Sequence, residues 1–242
     1  MPGKADHRSA IRCSTRLCLA RLTTGRRYNT LSDYLTIRLM TIWSIVPVKP
    51  LRRGKSRLAG LLTEDQRARL NRYLLQHSLD TLNEVSEIEH TLVVSRDPAA
   101  LALTRELGGR TVLENGAPQF NIALKRATAV AQMHGAHAVL ILPADLPLVT
   151  ADDIREILRR GQSPPVVVIA PDRREDGTNA LFVNPAGLLN YAYGPGSSRR
   201  HAELAAAAGA RVETVTSPSL GLDLDLPEDL DLVGGLKGLN LE

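Results

Sequence analysis

Beyond residue 39 the chain alternates short apolar runs with longer amphipathic stretches. The apolar runs at 42–48, 91–95, 138–142, 166–170, 180–183 and 212–215 are β-branched and bounded by Pro, Asp or Gly. Runs of that kind are expected for strands covered on both faces. Between them, Leu70, Tyr73, Leu74, His77, Thr81, Leu82 and Val85 fall on one helical stripe. Phe120, Ala123, Leu124, Ala127, Val130 and Ala131 form a second. Thr150, followed by Asp152 and Asp153, reads as the N-cap of a helix running to Arg160, with acids in its first turn. Pro227 suits the first turn of a terminal helix. Strands alternating with helices predict one α/β domain: three layers, α/β/α, Rossmann-like, around a mostly parallel mixed sheet. In such sheets ligands bind beyond the carboxyl ends of the strands, so the residues that follow each strand are the ones to question.

Composition changes this picture at one end only. The 242 residues carry a net charge of +4, which by itself would suggest nucleic acid or an anionic membrane as partner. Residues 1 to 39, however, hold eight Arg and Lys against two acids, a charge of +6, leaving 22 against 24, or −2, for residues 40 to 242. Both cysteines, Cys13 and Cys18, also lie in this opening segment, without His or Cys partners at zinc spacing. The segment is too broken to be a secretory signal. It reads either as an Arg-rich transit peptide or as sequence upstream of a start at Met40. The expected domains are therefore a basic extension, 1–39, and a globular body, 40–242. No apolar window is long enough to span a membrane, and the location expected is the cytoplasm. Eight aromatics in the whole chain and a body charge of −2 make a poor nucleic-acid surface.

After the first strand, Lys49, Arg52, Arg53, Lys55 and Arg57 place five cations within nine residues. A cationic loop at the mouth of the sheet can offset a polyphosphate. Gly54-Lys55-Ser56 is not a Walker A motif, because the position that demands the earlier glycine is Lys49. After 138–142 comes Pro143-Ala144-Asp145-Leu146-Pro147, an acid held between prolines and suited to Mg²⁺. Near the end, Leu222-Asp223-Leu224-Asp225 alternates as a short strand with both acids on one face, able to complete a metal site begun by Asp145. Around Thr178 and at Gly194-Pro195-Gly196-Ser197, free amides at a helix start would cradle a small anion, with Arg199, Arg200 and His201 nearby. His134 and His137 read as surface residues, since no third ligand accompanies them.

Together these segments resemble the guanylyltransferases of coenzyme F420 biosynthesis, which act on phosphoenolpyruvate or 2-phospho-L-lactate within the molybdenum-cofactor-guanylyltransferase-like nucleotidyltransferases. The likeness covers nearly all of residues 41 to 235. Its carriers are Ile45-Val46-Pro47-Val48-Lys49-Pro50-Leu51 with Lys55-Ser56-Arg57-Leu58, then Val94-Ser95-Arg96-Asp97-Pro98 and Phe120-Asn121-Ile122-Ala123-Leu124. They continue with Pro143-Ala144-Asp145-Leu146-Pro147, Gly177-Thr178-Asn179-Ala180-Leu181 and Tyr193-Gly194 with Ser197 and His201. The resemblance implies a nucleotidyltransferase fold, and that Thr178, Gly194 and Ser197 hold a phosphorylated three-carbon acid. It implies that Lys49, Lys55 and Asn121 serve the nucleotide and that Asp145 and Asp225 hold Mg²⁺, with Asp223 as the alternative to Asp225. Gln119 and Phe120 depart from the Gly-Leu that precedes the family's Asn.

The expected reaction is transfer of GMP from GTP to the acid's phosphate, with release of pyrophosphate. Such chemistry needs no nucleophilic side chain, and no persuasive triad is present; it needs two anions brought together. The expected partners are GTP and the phosphorylated acid, with neither nucleic acid nor membrane, and a homodimer is the one assembly entertained. A nucleotidyltransferase acting on a molybdopterin or sugar phosphate is the rival reading.

Overall fold

In the computed structural model, which describes residues 40–116, 119–239 and 241, the apolar runs do become strands. Seven strands make one sheet: β1 (Ile42–Val48), β2 (Ile88–Ser95), β3 (Arg110–Leu113), β4 (Ala138–Ile141), β5 (Val166–Pro171), β6 (Thr178–Asn184) and β7 (Arg211–Thr214). Their order is β3-β2-β1-β4-β6-β5-β7. All neighbours run parallel except at β6, which is antiparallel to both β4 and β5. This is the mixed, mostly parallel sheet that the patterning predicts.

The strands read as continuous apolar runs because both faces are covered. On one side Ile42, Val46, Leu140, Val168 and Phe182 pack with α1 (Glu64–Asn83), α2 (Pro98–Glu106) and α4 (Ala151–Arg160). On the other, Trp43, Ile45, Val139, Ile141 and Leu181 meet α3 (Phe120–Met133) and α5 (Ser197–Ala207). Thr150 caps α4 as expected: its Oγ1 accepts from Asp153 N at 3.2 Å while the Asp153 carboxylate accepts from Thr150 N at 3.0 Å.

Three differences from the sequence reading have physical causes. Strand β3 escapes the pattern because it is a half-exposed edge of four residues. Helix α2, nine residues and rich in Ala, has no counterpart among the stripes read from the sequence. Residues 222–226 form no strand; they run as an irregular segment into the helix Pro227–Leu232. No helix of the described residues is long and apolar enough to cross a membrane. The readings of residues 1–39, Cys13 and Cys18 included, lie outside the described residues.

Candidate active site

The carboxyl ends of β1 and β4 deliver their loops to one edge of the sheet, and antiparallel β6 begins at that same edge. There Lys55 meets the acids. Its ammonium lies 2.9 Å from Asp225 Oδ1 and 3.6 Å from Asp145 Oδ2, and its side chain is only 7% exposed. Burial works against that charge, yet Asp145 and Asp225 hold the lysine above its ordinary range. Asp225 shows the converse: burial opposes its ionisation, but Lys55 first, then Lys49 and Arg57, pull it below the usual carboxylate range. Among the described residues Asp223 forms no salt bridge. Burial, then the charges of Asp145 and Asp225, push it up to about 6.

The loop carrying Lys55 is tied down at Leu51. The Leu51 N–H donates to Asp97 Oδ2 at 2.7 Å, and its carbonyl accepts from Asn71 Nδ2 at 2.6 Å. A Cβ at Gly54 would stand 2.7 Å from Asn71 Nδ2 and displace the amide that holds Leu51. Of the five cations, Lys49, Lys55 and Arg57 act on Asp225. Arg52 turns away to Glu64 and Asp65, 3.0 Å from each.

The acids are held by a residue that the sequence reading passed over. Asp229, 1% exposed, accepts from the backbone N–H groups of Asp225 at 3.0 Å and Leu226 at 2.6 Å, and pairs with Arg173. An acid at the third position of a helix that opens on Pro227 is the signal that could have found it. The Leu224 N–H donates to the Asp145 carbonyl at 2.9 Å, which joins the two acidic segments directly.

The predicted anion cradle is built differently from the expectation. The amides at 196–198 are not free: Gly196 N donates to Asp176 Oδ2, Ser197 N to the Gly194 carbonyl and Ser198 N to the Asp176 carbonyl. Gly194 and Gly196, at φ 126° and 69°, shape the turn. Hydroxyls are what remain. Thr178 and Ser197 stand 3.1 Å apart, and His201 lies 3.0 Å from Thr178. The expected cations are engaged with the protein itself, although the charge of Arg200 still acts on His201. Arg199 pairs with Glu203, Arg200 binds the carbonyls of Ala192 and Pro195, and His201 is buried.

Asn121 is likewise engaged. Its Oδ1 accepts from Tyr193 N at 2.9 Å and its Nδ2 donates to the Tyr193 carbonyl at 3.3 Å, so the amide clamps that peptide. The Tyr193 ring then sits edge-on between Phe120 and His201, with centroids at 5.1 and 4.9 Å. Burial, then Tyr191 and Asp145, raise its phenol well above the ordinary value, so it stays protonated. Among the described residues its buried hydroxyl has no hydrogen-bond partner.

The donor set suits a hard divalent cation. Asp145 and Asp225 converge on one ammonium, and a third carboxylate is destabilised by the other two, so negative charge exceeds what Lys55 neutralises. Among the described residues no group of three or more His, Cys, Asp or Glu is arranged to hold a metal alone. An ion here would complete its shell with phosphate oxygens and water, as Mg²⁺ commonly does.

A family model described as guanylyl transferase, CofC-like, matches residues 42–234. A phosphoenolpyruvate guanylyltransferase of Rubrobacter xylanophilus is 40% identical over 79% of this chain and 92% of its own length. Another, from Sphaerobacter thermophilus, is 35% identical over 81% and 94%. Among solved structures, a putative nucleotide-diphospho-sugar transferase from Desulfovibrio desulfuricans superposes with a TM-score of 0.65 at 16% identity, covering 80% of this chain and 87% of that one. A nucleotidyl transferase from Methanothermobacter gives 0.61 at 15%, covering 84% and 99%. At such identity these structures speak to the fold.

Proposed function

The chain belongs to the family of CofC-like guanylyl transferases, and from that premise we propose that it transfers GMP from GTP to phosphoenolpyruvate. A phosphate oxygen of the acid attacks the α-phosphorus of GTP, the bond to the β-phosphate's bridging oxygen breaks, and pyrophosphate leaves. The product is enolpyruvoyl-2-diphospho-5'-guanosine, a step of coenzyme F420 biosynthesis. The observation that carries this reading is the meeting, at one sheet edge, of the Asp145–Lys55–Asp225 cluster with the Thr178–Ser197 hydroxyl pair.

Each group has work suited to its chemistry. Lys49, Lys55 and Arg57 supply the positive charge that a triphosphate needs. Asp145 and Asp225 hold Mg²⁺, which when bound neutralises the charge gathering on the phosphates. Thr178 and Ser197 bind the acid at a turn shaped by Gly194. Asn121 holds Tyr193 against His201 beside that turn. The attacking oxygen is already ionised at neutral pH, so no general base is called for, and the chain's task is to hold two anions in line.

Pyrophosphate release by the purified protein tests this directly, with GTP or ATP and with phosphoenolpyruvate, 2-phospho-L-lactate or 3-phosphoglycerate in turn. Release is expected with GTP and phosphoenolpyruvate. Release with a sugar phosphate or a molybdopterin, and with none of the three-carbon acids, would sink the reading.

A further inference from the structure

One fully buried group next to the hydroxyl pair has no part in the reaction as described. His201 is 0% exposed, and its Nε2 lies 3.0 Å from the backbone N of Ala192. A backbone amide can only donate, so Nε2 must be the unprotonated nitrogen. Burial, then the nearby Arg200, push His201 down to about 4, so near neutral pH the ring carries one proton. That proton therefore sits on Nδ1, 3.0 Å from Thr178 Oγ1, and is donated to it. Ser197 Oγ donates to the same oxygen at 3.1 Å. A hydroxyl oxygen has two lone pairs, and both are now used. Only the hydroxyl proton of Thr178 is left to meet a ligand. Thr178 is also the member of the trio that keeps some surface, 6% against 1% for Ser197 and 0% for His201.

We propose that His201 is a positioning residue: held by Ala192, its Nδ1–H fixes the Thr178 hydroxyl as a donor only, so that the subsite takes an anionic oxygen and refuses a group that must itself donate. The selectivity lies in the refusal as much as in the bond. A ligand presenting O–H or N–H at this point meets a donor facing a donor, and that mismatch is left unpaired in a buried place. Tyr193, edge-on to the His201 ring at 4.9 Å and clamped by Asn121, keeps the imidazole from turning.

The proposal rests on the reading that Thr178 touches the acid, and three variants of the full chain separate the two. Thr178→Val removes the donor and is expected to raise KM for phosphoenolpyruvate about tenfold or more, with KM for GTP within about twofold, the scale of one hydrogen bond to a charged group. In His201→Asn the amide N–H stands in for Nδ1–H, and KM for the acid should stay within about threefold of wild type. In His201→Leu nothing donates to Thr178, and KM for the acid should rise about as far as in Thr178→Val, while the Ala192 N–H loses its side-chain partner no more than in the Asn variant. The double variant Thr178→Val, His201→Leu should be no worse than Thr178→Val alone, because both changes remove the same bond. Equal behaviour of the Asn and Leu variants, or losses that multiply in the double variant, would overturn the positioning role while leaving the subsite in place. An unchanged KM in Thr178→Val would overturn the subsite itself, and the proposal with it.

Discussion

The Lys55 ammonium stands 2.9 Å from Asp225 and 3.6 Å from Asp145, a buried cation held between two carboxylates. Removing one acid leaves a buried cation under-compensated and takes away a carboxylate that faces the phosphates. Asp145→Ala is therefore expected to lower kcat by about 10²-fold or more, the scale of losing a major electrostatic stabiliser. Near-wild-type turnover of that variant at saturating Mg²⁺ would remove Asp145 from the metal site. His201 is different, because its value lies in being uncharged. A free histidine titrates near 6.5, whereas His201 does so at about 4, with Arg200 beside it and Tyr193 against its ring. Between those values the unfolded chain binds a proton that the folded chain refuses, so stability present above pH 6.5 is lost as the pH falls toward 4. The shift corresponds to at most about 3 kcal/mol. Urea midpoints across this range should fall more steeply with acid for wild type than for His201→Gln, and parallel profiles would show that His201 is not the group responsible.

At the level of elements, the acidic segment 222–226 is informative because it is neither helix nor strand. Its alternation of Leu and Asp looks like a strand, and both acids do reach the site, but no neighbouring strand pairs with it. It is held instead by the buried Asp229 carboxylate, by the Leu224 N–H on the Asp145 carbonyl and by Leu224 itself, which is fully buried. Asp229→Ala would leave two backbone N–H groups and Arg173 without their partner. The expected cost is about 3 kcal/mol of stability, with a fall in kcat as Asp225 loosens. Unchanged thermal stability in that variant would mean that the segment is fixed by packing alone. Helix α5 teaches a related lesson. Its glycines and serines suggest a helix start with amides turned to an anion, yet Asp176 and the Gly194 carbonyl occupy those amides. The functional groups left at that turn are hydroxyls.

Across the whole molecule, the family match covers residues 42–234. A chain beginning at Met40 is accordingly expected to fold and to turn over substrate like the full chain; loss of either would give residues 1–39 a role in the domain. The periodicity of residues 42 to 215 sufficed for six of the seven strands, the layers and the edge where ligands are expected, because strand and helix patterns are local and a sheet buried on both faces must be apolar throughout. It also pointed to Asp145, Lys55 and Thr178, which follow or open strands, and to Ser197 at a helix start. Partnership was beyond its reach. Lys55 and Asp225 are 170 positions apart, and they meet because Leu58 and Leu224, each close to one of them in the chain, pack into one apolar cluster with Leu70 and Leu74. The resemblance gave Asn121 to the nucleotide, and the fold shows its amide bonded to Tyr193; His201, read among the cations, lies buried with its ionisation suppressed. Sequence by itself determined which chemistry stands at the sheet's edge, since residue type and local pattern travel together. Only the tertiary structure decided which groups spend that chemistry on one another and which keep it for a ligand, because hydrogen-bond saturation and burial depend on neighbours far away in the chain.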